Sequence, residues 1–425
     1  MTANATATAT ATYSFPVPDL SDDGLAKVTA EVAESAAEYD RTGEIPWAGL
    51  EAIYRAGLIT ASVAPEHGGP GITARDAARA VAAVGQGDPS VAIILANTLL
   101  THGTIAAVPL TWYEPHYEDF LARSAKGIAL ANGLGAEPDL GASARGGLPA
   151  TNLTRSGDGW VLNGRKGWGT GGTALTYHIA HVVALEDGRE PRVGFVTVPT
   201  DLPGVSVLET WDHIGLRASN THDVVYENVE LPLGAFAELP RQPDGTVLSP
   251  AARPLSPGTF AHTALYLGVA RAARAAFREF TRSRVPTSLG KPIAETERIQ
   301  TVAGELDLQI ATAETLLFGS ILRVENGDSA VVAQIPLIKA AIARAVIGAT
   351  QAAVAALGNP GLTRHNSLER HLRDALCIRV HPPQEDAALL AAGRRVLGSE
   401  PTAPASTATA TLPTVTPSTQ PKETI

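Results

Sequence analysis

Trp168 and Thr170 have the plainest capacity for chemistry. They lie two apart in the stretch 159–172, Gly-Trp-Val-Leu-Asn-Gly-Arg-Lys-Gly-Trp-Gly-Thr-Gly-Gly. If the chain stays extended they share one face, and the surrounding glycines let backbone approach a ligand closely. An indole, a hydroxyl and bare backbone suit a flat, hydrogen-bonding ring. The stretch also reads as a β-hairpin turning at Asn163-Gly164, the dipeptide that best tolerates positive φ, with its Trp packed in a core. Two histidines are further candidates: His381, just ahead of Pro382-Pro383, and His102, in an apolar helical run. Histidine titrates near working pH and can donate or accept a proton, although either one also reads as a structural residue. Arg284 carries a planar fork suited to phosphate, and is equally readable as a solvated helix end.

Those residues need elements to position them. At 425 residues and 44% hydrophobic content the chain can bury a substantial core and form two or three domains. Residues 21–126 read as a helical domain, with amphipathic runs at 24–39, 46–57, 73–86 and 90–106. From 127 to 238 the texture changes to short β-rich runs at 158–166, 177–185, 192–198, 204–209 and 222–229, whose close spacing predicts a compact β-barrel. A Pro-rich linker, 239–257, leads to helices over 259–283, 295–325, 329–357 and 367–378, a four-helix bundle within 258–398. Pro336 is expected to kink the third of these or shift its start. The ends, 1–20 and 399–425, are rich in Thr, Ala, Ser and Pro and are expected to be disordered.

Several function classes are disfavoured. A net charge of −10 offers nucleic acid no general attraction. Gly133-Leu134-Gly135 is followed by Pro138 where a dinucleotide fingerprint wants Gly or Ala. No HExxH or comparable metal motif occurs, and the single cysteine, Cys377, excludes an internal disulfide. No apolar run approaches the ~20 residues of a membrane span and no signal peptide is legible, so a cytoplasmic location is expected.

The stretch 159–172 has partners on both sides. Upstream is Ala136-Glu137-Pro138-Asp139-Leu140-Gly141-Ala142-Ser143; downstream is Ile214-Gly215-Leu216-Arg217-Ala218-Ser219-Asn220-Thr221, closing on 226–232. In this order they resemble the middle domain of the acyl-CoA dehydrogenase superfamily of flavoproteins, with its T-E-P-x-x-G-S, N-G-x-K-x-W-I-T-N and G-x-R-x-S-x-T patterns. The resemblance implies an α+β fold of N-terminal helical domain, central β-barrel and C-terminal four-helix bundle, assembled as a homotetramer. It implies a flavin, with Trp168 packing by the isoalloxazine, Thr170 hydrogen-bonding near N5, and Ser143 near the ring or pyrophosphate. Arg284 resembles the Arg that pairs with the pyrophosphate across the subunit contact. Gly358 and Gly361 match the loop that touches adenosine, but Ala355 stands where the family has Gln, which leaves FAD and FMN both open.

One departure bears on the reaction. Residues 368–375, Leu-Glu-Arg-His-Leu-Arg-Asp-Ala, match the family's E-R-x-x-R-D-A, and counting onward places Pro382 where the dehydrogenases carry their catalytic Glu. Proline offers no base. No Asp or Glu occurs between Asp244 and Glu279, where some members relocate it. His381 instead resembles the His of the flavin-dependent monooxygenase branch, which uses reduced flavin from a separate reductase to activate oxygen on a small organic substrate. His102 is expected to be able to face the same pocket. A dehydrogenase acting on an acyl thioester with a relocated base, Glu385 or Asp386, is the alternative; a flavin-binding protein without turnover is the third.

Overall fold

The computed structural model describes residues 13–107, 112–139, 148–240 and 260–398. Ser143, most of the Pro-rich linker and the tail 399–425 lie outside the described residues. Local signals set the first helices. The hydroxyl of Ser21 accepts from the Gly24 amide at 3.1 Å to cap α1 (Asp22–Thr42), and Gly43 ends it in the left-handed region at φ 75. Then come α2 (Trp47–Arg55), α3 (Ala74–Gly87), α4 (Pro89–Ala107) and α5 (Glu114–Ser124). The sequence reading misses α5, whose buried Tyr117, Phe120 and Leu121 are diluted by charged neighbours. Residues 13–20, expected to be disordered, are ordered instead: Phe15 is buried with Val63, Trp112 and Phe120.

The middle of the chain forms one eight-stranded sheet. Its strands are β1 (Ala131–Leu134), β2 (Asn152–Ser156), β3 (Gly159–Gly169), β4 (Tyr177–Leu185), β5 (Arg192–Pro199), β6 (Val205–Leu208), β7 (His222–Pro232) and β8 (Phe236–Glu238). The ladder runs β6-β7-β3-β2-β4-β5-β8, with β1 also on β4. Every strand sends side chains into one cluster, from Val207 on β6 to Phe236 on β8, so the sheet curls around its own core. Among the described residues β6 and β8 do not pair, and the expected barrel is open at that seam. The hairpin turn also moves. β2 meets β3 through Gly157-Asp158, whereas Asn163-Gly164 is a register shift inside β3, with Gly164 at φ 144 pressed against the Thr151 backbone.

The C-terminal part comprises α6 (Ala261–Ser283), α7 (Glu297–Glu325), α8 (Ser329–Val332), α9 (Ile335–Leu357), α10 (Asn359–Leu362), α11 (Leu368–Leu376) and α12 (Glu385–Leu397). On α7 the residues Leu306, Ile310, Ala313, Leu317 and Ile321, spaced three and four apart, are buried throughout. Pro336 sits in the first turn of α9, where its missing amide costs nothing, so it shifts the helix start as anticipated. The two helical parts share one core: α6 packs on α3 so closely that a Cβ on Gly268 would lie 2.2 Å from the Ala82 carbonyl. Two helical segments, Pro89–Ala106 and Ile335–Leu357, are long and apolar enough to cross a membrane, which corrects the expectation that no run approaches that length. They serve here as core helices, the first 83% buried.

The three parts are joined at Arg373 and Asp374 on α11. The Arg373 guanidinium is bidentate to Asp40 of α1 (3.0 and 2.7 Å) and donates to the Ile214 carbonyl (2.6 Å), while Asp374 accepts from the Leu216 amide at 2.7 Å. Burial of Asp374 pushes its carboxyl up to about 7, against the pull of the Leu216 amide and Arg370. A carboxyl whose folded pKa exceeds its unfolded value burdens the fold above that pKa and is relieved as pH falls toward the unfolded value. Asp374→Asn keeps the acceptor without the charge. It is expected to raise stability by roughly 1–3 kcal/mol at pH 8, with the gain shrinking as pH drops from 7 to 4, read by chemical denaturation across pH.

Candidate functional site

The site has two halves, one on the sheet and one on the bundle. On the sheet, β3 shifts register against β7 between Lys166 and Gly169, and Trp168 there takes φ 57. The Thr170 amide turns back to the Trp168 carbonyl at 3.0 Å, so the chain is not extended and the two side chains do not share a face. Trp168 is 54% exposed and Thr170 is buried. Thr170 Oγ1 lies 3.0 Å from Thr221 Oγ1, itself 2.7 Å from Ser219 Oγ, and Asn132 of β1 donates to the Thr170 carbonyl. Beneath the turn, the fully buried Lys166 ammonium is 2.7 Å from Glu137, which also accepts from the amides of Ala150 (2.7 Å) and Thr151 (3.0 Å). That carboxylate ties together the two ends of the segment containing Ser143.

On the bundle, His381 follows α11 and is partly buried. Its Nδ1 lies 2.8 Å from the Tyr266 hydroxyl. Its carbonyl, with those of Ile378 and Pro383, accepts from the Lys339 ammonium at 2.6, 2.7 and 3.1 Å, which uses all three of that group's donors. The His262 ring stands edge-on to it with centroids 6.3 Å apart, and His262 Nε2 lies 2.8 Å from Asn97 Oδ1. Burial, then His262, Lys339 and His213, lowers the His381 pKa to about 3. The expectation of a histidine titrating near working pH is therefore corrected: His381 is neutral there. Burial likewise lowers Lys339 to about 8 and His262 to about 4.

A chain of contacts links the halves. From Thr170 it passes through Thr221 and Ser219 to Leu216, whose amide meets Asp374, and one turn beyond Asp374 lies Cys377, 3.9 Å from His213 Nδ1. His102 is not part of it. Asn97 and His102 are five residues apart on α4, about 140° around the helix. Asn97 therefore faces α6, while His102 is fully buried against Phe120 and Tyr117 and lowered by burial to about 3. The expectation that His102 could face the pocket is overturned. Arg284 and Gly358 are exposed, and Gly361 packs on the Val354 backbone.

The sequence reading missed Tyr266, His262, Lys339 and Asn97. Their signal was present: His262 and Tyr266 are one turn apart on an otherwise Ala- and Leu-rich helix, and Lys339 is a buried cation in an apolar one. A bulky residue in the left-handed region costs about 1–2 kcal/mol. A half-exposed indole recovers little by burial. Neither feature serves the fold, and the exposed indole leaves a flat apolar surface two residues from the buried Thr170 hydroxyl, so Trp168 fits contact with a flavin ring.

Fold and site together define a three-part scaffold with a platform for a planar ligand. The comparisons agree. Residues 24–109, 134–229 and 260–383 match the acyl-CoA dehydrogenase N-terminal, middle and C-terminal domains. The chain belongs to the acyl-CoA dehydrogenase family. It is 28% identical over 368 residues to YdbM of Bacillus subtilis (strain 168), named for the acyl-CoA dehydrogenases, covering 86% of this chain and 93% of that one. It is 30% identical over 254 residues to L-evernosamine nitrososynthase of a Micromonospora species, 59% of each chain. Among solved structures, KijD3 in complex with FMN and a dTDP-amino-keto sugar superposes with a TM-score of 0.76 at 22% identity, over 91% of this chain and 96% of that one.

If Trp168 serves a ligand rather than the fold, Trp168→Gly separates the two. We expect stability within about 1 kcal/mol of the parent, since relief of backbone strain offsets lost contact. Flavin binding, titrated by fluorescence, should weaken about tenfold or more, the loss expected for a large ring contact. Unchanged affinity would remove Trp168 from the platform.

Proposed function

We propose that this flavin-dependent oxidoreductase is a monooxygenase, acting with reduced flavin and oxygen on a small organic substrate. The observation that carries the reading is the environment of His381. Where the family's dehydrogenases hold a carboxylate, this chain has Pro382, and the side chains around its neighbour are Tyr266, His262 and Lys339. Glu385, the candidate replacement base, is held by Arg344 at 2.7 and 2.6 Å, at the start of α12. A weakly acidic C–H needs a base within hydrogen-bond reach, and this arrangement offers a neutral imidazole instead.

In the assignment we favour, Trp168 and Thr170 would hold the ring, and His381, backed by Tyr266, would offer a hydrogen bond to the reacting oxygen. Reduced flavin, when bound, supplies the two electrons by which one oxygen atom enters the substrate and the other leaves as water. His381 donates a hydrogen bond to the oxygen being cleaved, and the packed bundle around it keeps bulk water out. FAD and FMN both remain compatible with the exposed Gly358 loop. Arg284 and that loop are exposed, and the resemblance gives them a cofactor contact across subunits; a homotetramer, a separate reductase and a cytoplasmic location complete the proposal.

Two measurements test it. His381→Ala should still fold and bind flavin, yet give about 10²-fold less oxygenated product per reduced flavin and more hydrogen peroxide. Equal product yield would make His381 structural. In the second, anaerobic mixing of flavin-loaded protein with saturated acyl-CoAs should leave the flavin oxidised. Bleaching with release of an enoyl-CoA would overturn the reading in favour of the dehydrogenase, with Glu385 the first residue to replace.

A further inference from the structure

The hydroxyl of Tyr266 is fully buried on α6, and burial holds the phenol protonated well above its usual range. Its hydrogen-bond partner among the described residues is His381 Nδ1, at 2.8 Å. A neutral imidazole carries one N–H, so the pair has two arrangements. In one, Tyr266 donates to Nδ1 and the ring proton sits on Nε2. In the other, Nδ1–H donates to the phenol oxygen and the phenol's own proton points into the packed core. The second arrangement has no rescue, because among the described residues the phenol oxygen has no hydrogen-bond partner besides His381 Nδ1 to take its proton. Leaving a buried O–H without an acceptor is disfavoured strongly enough to decide between tautomers.

We propose that Tyr266 is a positioning residue that fixes His381 as its Nε2–H tautomer, making the neutral ring a one-proton donor on the side away from Tyr266. This deepens the monooxygenase reading and rests on it only for the meaning of the donor, not for the tautomer. Lys339 completes the device by locking the backbone from which the ring projects. An Nε2–H group cannot accept a substrate proton, so the same contact that prepares a hydrogen-bond donor disqualifies His381 as the base of a dehydrogenase. A substrate or oxygen species bound there must present an acceptor to it.

The tautomer can be read without flavin, substrate or turnover. The full chain, labelled with [15N]histidine, is compared at pH 7 as parent, Tyr266→Phe and His381→Ala, the last serving to assign the His381 signals. Long-range proton–nitrogen correlations should show the parent ring protonated at Nε2 with a bare Nδ1. In Tyr266→Phe, which removes only the hydroxyl, the ring should become a mixture or move to Nδ1–H. Flavin affinity should stay within about 2-fold while product per reduced flavin falls about 10-fold, the loss of one oriented hydrogen bond. An Nδ1–H ring in the parent, or a Phe variant with an unchanged pattern, overturns the proposal; the parent spectrum alone decides it should the variant fold poorly. A correct tautomer with no oxygenation of any substrate supports this proposal and sinks only the monooxygenase reading.

Discussion

Arg373 is the residue on which the architecture turns. Its guanidinium satisfies a carboxylate of the first helix and a carbonyl of the loop that leaves the sheet, and it is itself oriented by Glu369 one turn earlier, at 2.7 and 3.0 Å. An Arg fork is suited to this because its donors lie in one rigid plane. Next to it, Asp374 takes the Leu216 amide, so two consecutive residues of α11 hold the loop 211–221 at Ile214 and Leu216. That loop then delivers Ser219 and Thr221 to Thr170. The platform on the sheet and the histidine beyond α11 are therefore held in register by the same turn of helix.

The cost of this joint falls on buried charge. Asp374 and Asp88 are both pushed up by burial, to about 7 and about 6, and Arg370 lies close enough to both to draw them back. Such a cluster adds little net stability, because each ion gives up hydration comparable to what its partner returns. Its contribution is specificity of docking: three hydrophobic surfaces could slide over one another, but the Asp40–Arg373 fork and the Asp374–Leu216 bond admit one placement.

Much of the fold was legible because its signals are local or strongly periodic. The apolar steps on α7, the helix start at Pro336 and the turn-bounded β-rich runs each depend on residues within a turn or two. What escaped depended on tertiary partners. Asn163-Gly164 has the chemistry of a hairpin turn, yet Gly157-Asp158 precedes it and closes the hairpin first, which leaves Gly164 to accommodate the Thr151 backbone instead. Trp168 and Thr170 were placed on one face by assuming an extended chain, and a left-handed Trp breaks that assumption. His381 was found through the motif around it, but its pKa was not, because the groups that lower it lie on α6, α9 and the loop carrying His213. His102 shows the converse: a residue type suggestive of catalysis, whose helix phase directs it into an aromatic core.

With Pro382 at the place of the dehydrogenases' carboxylate, the titratable group beside it is His381, and burial acts on it differently. A dry pocket raises a carboxylate's pKa and makes it a stronger base when it ionises, which serves proton abstraction. The same dryness lowers an imidazole's pKa and keeps it neutral, so its use shifts from proton transfer to hydrogen bonding. With Tyr266 on one nitrogen and Lys339 on the backbone, the ring has little freedom left to reorient, and a fixed dipole in a water-poor site stabilises developing negative charge without reorganising first. The packing around His381 thus suits hydrogen bonding by a neutral ring rather than proton abstraction.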